Sequence, residues 1–242
     1  MVARPGPQTS MLCLSPGTGQ RPGTLIEDAG VFVAFDTGRE GTDRTQHEGD
    51  RTMVTIRGVS VLVQADPGLR EQIVDTIRTV GFIDSNGCPI DHPISSDPAL
   101  RPQDPVEVAS LSGVTAVAAC KYGLGRSETS GPSLLSSVRL EGQAAADAVA
   151  AITRAPTGGG PDAPSTCLPS FSYGDDAIVL RISSNDDEHE VYLRYSGCNH
   201  NGFDDGSAER TLTAEAVASF ITGSNAVLVF SGGGGKDEIL HP

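Results

Sequence analysis

Apolar side chains follow no period in residues 1–24, where Pro, Gly, Ser and Thr dominate, so that stretch is expected to be disordered. The first apolar run, Val31-Phe-Val-Ala-Phe35, is a short strand candidate, and a charged loop should follow to Asp50. From Met53 to Gln64, Val59, Val61 and Val63 alternate with Ser60, Leu62 and Gln64, the pattern of a largely buried strand. Asp66 then stands as N-cap with Pro67 at the first helical position, where a missing N–H costs nothing. Leu69, Ile73, Ile77 and Val80 fall on one helical face widened by Val74, and Gly81 marks the stop. Residues 25–84 therefore read as a small β/α segment with strands missing.

Residues 85–108 carry Pro89, Pro93, Pro98, Pro102 and Pro105, which predicts an extended linker without regular structure, entered through the Asn86-Gly87 turn. Residues 109–231 are patterned most strongly. Val114–Cys120 and Leu134–Leu140 are strands, and a helix follows with Glu141 at its start, Ala145, Ala148, Val149 and Ile152 on one face, and Pro156 at its end. Ile178, Leu180 and Ile182 share a face of the strand 177–183, and Val191, Leu193 and Tyr195 share a face of the strand 190–195. The acidic segment 184–189 should be the turn of that hairpin. Thr213 is an N-cap for a second helix with Ala216, Val217, Phe220 and Ile221 buried, Ala226–Phe230 is an edge-strand candidate, and 232–242 reads as a flexible tail.

Strand, Cys120, loop, Arg139-Leu and helix on one side match strand, Cys198, loop, Arg210-Thr-Leu and helix on the other, a weak internal repeat. The fold class is α+β: a mainly antiparallel sheet with helices in two ββα-like units, stapled by disulfides and preceded by a partial α/β segment.

Composition narrows the partners. The 242 residues can support a real hydrophobic core. A net charge of −14 without any basic run repels polyanions, which argues against nucleic acid and against an anionic membrane surface. Aromatic residues make up 5% with no Trp, too few for a stacking platform along single strands. No 18-residue apolar stretch suggests a membrane span, and no charged-then-apolar leader opens at Met1.

Chemistry concentrates in the cysteines. Cys88, Cys120, Cys167 and Cys198 are widely spaced, sit near element ends and form no CxxC pair, which points to two structural disulfides and a compartment outside the cytoplasm. Of three pairings, Cys88 with Cys120 and Cys167 with Cys198 are preferred, because each joins cysteines flanking a strand or hairpin. Closing a loop of about 30 residues contributes roughly 3–4 kcal/mol. Cys13 is left as an odd thiol.

Competing sites are weaker. Cys88-x3-His92 with Cys198-x-His200 is nominally a Cys₂His₂ set, but the thiolates vanish if the disulfides form. Asn199–Gly206 and Asp186-Asp187-Glu188 cluster oxygens as calcium prefers, without an EF-hand pattern. His189 beside Glu190 suggests an acid–base pair, or simply a hairpin tip. There is no G-x-S-x-G, H-E-x-x-H or S-x-x-K motif, and Gly232–Lys236 lacks the Ser/Thr and the first glycine of a phosphate loop. No catalytic residue, metal ligand or cofactor is assigned.

The stretches Asp84-Ser-Asn-Gly-Cys88-Pro, Cys120-Lys-Tyr122, Pro164-Ser-Thr-Cys167 and Tyr195-Ser-Gly-Cys198 resemble uncharacterised exported four-cysteine proteins of actinobacteria, over residues 53–222. The resemblance implies a location outside the cytoplasm and brings no established activity. The expected function is a non-catalytic extracytoplasmic binding or structural domain of the cell envelope, partnered by a protein or another envelope component. A secreted protease inhibitor presenting the loop Gly123–Pro132, and a secreted hydrolase, are the alternatives.

Overall fold

A computed structural model describes residues 31–37, 42–79, 81–125, 132–185 and 187–226. The segments 1–24 and 232–242, most of the loop Gly123–Pro132, and the edge-strand candidate beyond Ala226 lie outside them. The described residues form two compact units, 31–79 and 81–226.

The smaller unit is a four-stranded antiparallel sheet with a helix. Its strands are β1 (Phe32–Thr37), β2 (Arg44–Glu48), β3 (Arg51–Ile56) and β4 (Val59–Gln64), in the order β1-β4-β3-β2. The stretch Met53–Gln64, expected as one strand, is a hairpin. Arg57 and Gly58 both take positive φ, 48° and 78°, as a two-residue turn with the right twist demands, and Asp43 Oδ1 accepts from the Arg57 N–H at 2.7 Å. The charged loop before Asp50 contains β2, every residue of which is exposed. It is a strand because its backbone pairs with β3, and its charges suit a sheet edge.

Helix α1 (Pro67–Asp75) starts where Asp66-Pro67 predicts but stops before Ile77. Thr76 ends it by donating its hydroxyl to the Ile73 carbonyl, and no residue of the helix is buried. The packing of this unit comes instead from Val54, Val61, Val63 and Ala65.

The larger unit is built on a six-stranded, wholly antiparallel sheet. Its strands are β5 (Val114–Gly123), β6 (Leu134–Glu141), β7 (Asp176–Ser184), β8 (Asp187–Arg194), β9 (Gly202–Asp204) and β10 (Glu209–Arg210), in the order β10-β9-β8-β7-β5-β6. Strands β5 and β7 pair along their whole length, so the two hairpins become one sheet. The hairpin turn between β7 and β8 is shorter than the acidic segment 184–189 suggested. Asn185 adopts a φ of 51°, and strand pairing resumes at Asp187.

Alternation along these strands gives the sheet two faces. One face presents Val117, Ala119, Ile178, Leu180, Ile182, Val191 and Leu193 to helices α2 (Gln143–Arg154) and α3 (Ala214–Ala218). The expected helix stripes are the buried ones: Ala145, Ala148, Val149 and Ile152 in α2, and Ala216, Val217, Phe220 and Ile221 in and after α3. Thr213 caps α3, its hydroxyl oxygen accepting from the Ala216 N–H at 3.2 Å.

The opposite face presents Ala118, Cys120, Tyr122, Ala177, Val179 and Tyr192, and among the described residues no α-helix contributes to its cluster. Its cover is the proline-rich stretch. Residues 85–108, expected as a linker, are irregular and extended but belong to the larger unit, with Cys88 and Ile94 buried against this face. Val108 is buried in the helix-side core, and on the way to it the strap is tied to Asp205, whose carbonyl accepts from the Val106 N–H at 3.2 Å. The architecture is α+β and mainly antiparallel, in two sheets.

Candidate functional site

The strap is fastened to the sheet by a seam of polar groups that alternate out of β5, β7 and β8 on one face. At its start Asp84 is buried and accepts from the Ser137 hydroxyl and from the N–H groups of Asn86 and Cys88, at 2.9 and 2.8 Å for the last two. Cys88 is bonded to Cys120 across a Cα separation of 5.5 Å. Cys120 lies within β5, not at its end, and its side chain faces the strap between those of Ala118 and Tyr122. The Tyr122 hydroxyl then donates to the Pro89 carbonyl at 2.8 Å.

His92 is the centre of the seam. Its Nδ1 accepts from the Ile94 N–H at 3.2 Å, so the ring proton sits on Nε2, which donates to Glu190 Oε2 at 3.3 Å. Tyr122 and Tyr192 flank the imidazole, with ring centroids 5.2 and 5.5 Å away, and the Tyr192 hydroxyl donates to the same Glu190 oxygen at 3.3 Å. Burial alone would raise the Glu190 carboxyl. The hydrogen bond from His92, the charge of Arg181 and the Tyr192 hydroxyl outweigh it and hold the carboxyl below its ordinary value. Burial, reinforced by the Glu190 charge, pushes the Tyr122 and Tyr192 hydroxyls well above theirs.

Further along, Arg194 donates to the carbonyls of Pro98 and Leu100, and Arg101 grips Asp204 in a two-pronged pair at 2.9 and 2.6 Å. Burial acts to raise the Asp204 carboxyl, but Arg101, the Gly206 N–H and Arg194 bring it down. Asp205 is lowered too: against burial stand the Val108 N–H, the Ser207 hydroxyl and the N–H groups of Ala208 and Ser207.

This geometry sorts the sequence candidates. His189 and Glu190 do not form a pair, because neighbours on a strand face opposite sides. His189 is half-buried in β8 opposite Ile182, and Glu190 meets His92. The Cys₂His₂ set is excluded, since Cys88 and Cys198 are oxidised, the second to Cys167 at a Cα separation of 5.4 Å. His200 stacks on Tyr173, rings 4.5 Å apart and nearly parallel. In Asn199–Gly206 the two carboxylates are committed to the fold, Asp204 to Arg101 and Arg194 and Asp205 to Ser207 and backbone N–H groups, and Glu188 pairs with Arg181. Among the described residues no group of three or more His, Cys, Asp or Glu side chains is arranged to hold a metal ion. Cys13 and Gly232–Lys236 lie outside the described residues.

The second disulfide stands apart from the seam. Cys167 and Cys198 are partly exposed and fasten the short turns 164–171, on which Leu168 and Phe171 stand exposed by 61% and 53%. Backbone bonds bind this region and its flanks to the loop after β8: the Cys198 N–H donates to the Phe171 carbonyl at 3.2 Å, the Asn199 N–H to the Ser172 carbonyl at 3.0 Å, and the Ala163 N–H to the Cys198 carbonyl at 2.9 Å. Gly197 permits that approach, since a Cβ there would lie 2.3 Å from the Ser172 oxygen.

Sequence reasoning missed the His92–Glu190 pair, whose members are 98 positions apart. One signal was available: strand alternation places Glu190 and Tyr192 on the face away from Val191 and Leu193. No family model, no curated protein and no solved structure matches the chain.

Proposed function

We propose that the larger unit is a non-catalytic binding or structural domain that works outside the cytoplasm, in association with the cell envelope. The observation that carries this reading is the state of His92. Both ring nitrogens are committed, one to the Ile94 N–H and one to Glu190, so the best-placed acid–base group is a fastener of the strap and has no free nitrogen for a substrate proton. Two disulfides support an oxidising compartment, because such bonds do not persist in a reducing cytosol. A partner surface is supported by Leu168 and Phe171, large apolar side chains held in the open beside a covalent staple.

The reading is tested by treating the full chain with a fluorophosphonate serine probe and with ester, peptide and glycoside substrates, beside a His92→Ala variant. No labelling and no turnover above buffer are expected for either. Turnover by the natural chain that His92→Ala abolishes while the fold persists would contradict it.

A further inference from the structure

The two disulfides occupy different environments although they close loops of nearly equal length, with sequence separations of 32 and 31. Cys88 and Cys120 are both wholly buried, packed with Ile94, Ala118 and Tyr122 between sheet and strap. Cys167 and Cys198 are each partly exposed and belong to neither hydrophobic cluster. No residue between 156 and 176 contributes to either cluster; residues 156–160 are tied by backbone bonds to 201–212, whereas the turns 164–171 that carry Cys167 pack no side chain into the core.

We propose that Cys167–Cys198 is an exchangeable disulfide, the site at which an external dithiol reduces this protein in its folded state. Exchange requires a thiolate to reach a sulfur in line with the bond it breaks, and the sealed Cys88–Cys120 bridge does not allow that without lifting the strap. At the exposed bridge one thiolate of the dithiol attacks a cysteine Sγ. The Sγ–Sγ bond breaks, and the other sulfur leaves as a thiolate that takes a proton from water. The second thiolate of the reagent then attacks the mixed disulfide and releases the remaining protein sulfur. The protein gains two electrons and two protons, and the dithiol becomes a disulfide.

The released thiols already have partners in place. Cys198 Sγ lies 3.4 Å from the Phe171 carbonyl oxygen, and Cys167 Sγ lies 3.8 Å from that of Leu168. The backbone bonds from Cys198 and Asn199 and the Tyr173–His200 stack keep the far side of the turn attached. Reduction thus loosens the stretch that displays Leu168 and Phe171 and leaves the sheet intact.

The test uses the full chain. Its odd thiol, Cys13, is blocked with N-ethylmaleimide, dithiothreitol is raised in steps without denaturant, and samples are quenched with iodoacetamide for peptide mapping. Cys167 and Cys198 are expected to be alkylated together at a concentration at least about tenfold below that needed for Cys88 and Cys120, with near-ultraviolet circular dichroism unchanged. Alkylation of all four together, of Cys88 and Cys120 first, or of Cys167 and Cys198 only as the dichroism collapses would each overturn the proposal.

Discussion

Replacing His92 with Ala removes a donor from a half-buried carboxylate and an acceptor from the Ile94 N–H in one step. An unmet buried partner costs about 1–3 kcal/mol, so urea unfolding should show His92→Ala destabilised by roughly that amount. Carboxyl NMR should show Glu190 titrating at higher pH in the variant, since the group that lowers it most has gone. The sign of the pH dependence follows from the same groups. Glu190, Asp204 and Asp205 bind protons less tightly folded than unfolded, so their stabilisation is complete above the ordinary carboxylate range and is lost as pH falls through their folded values. Tyr122 and Tyr192 hold protons more tightly when folded, so their contribution is present below about pH 10 and is lost as pH rises beyond it. Urea midpoints should therefore fall on both sides of neutrality, and a midpoint that keeps rising into acid would contradict the carboxylate assignment. Such a seam was hardly legible beforehand. Pairing His92 with Glu190 requires knowing that the strap crosses β8, which no local pattern encodes.

Strands and helices were legible where burial writes a period into the chain, as in β4, β7 and α2, and illegible where backbone pairing alone makes the element. Strand β2 is the plain case, five exposed residues ordered by their ladder to β3. The Arg57-Gly58 turn is the other, because an uninterrupted apolar pattern on both sides conceals a reversal that only the positive φ values reveal. Gly58→Ala should destabilise the smaller unit by about 1 kcal/mol, as a Cβ is strained at a φ of 78°, and a hairpin of unchanged thermal stability would argue against that turn. Helix α3 spans five residues and relies on its cap, so Thr213→Ala should cost about 1 kcal/mol, visible as a lower urea midpoint.

Taken as a unit, residues 81–226 solve a common problem of antiparallel sheets, two faces to cover with helices enough for one. The second face is covered by a chain that makes almost no regular structure, held by a disulfide, His92, Arg101 and Arg194. Its prolines announced an extended shape, but the sequence carries no local sign of which surface it lies on. Because the two disulfides close loops of similar length, the entropic part of each is alike, roughly 3–4 kcal/mol. Replacing Cys88 and Cys120 with Ala should nevertheless lower the melting temperature more than replacing Cys167 and Cys198, because the first pair also leaves a cavity in the core. Among the described residues no helix is long and apolar enough to cross a membrane. The proposed reading rests on an oxidised, stapled scaffold in this domain. It is tested most directly by a disulfide map of the full chain recovered from the envelope or medium, alkylated in denaturant without reduction. The expected result is two linked peptide pairs, Cys88 with Cys120 and Cys167 with Cys198, and one alkylated thiol at Cys13, whereas alkylation at all five cysteines would contradict the account.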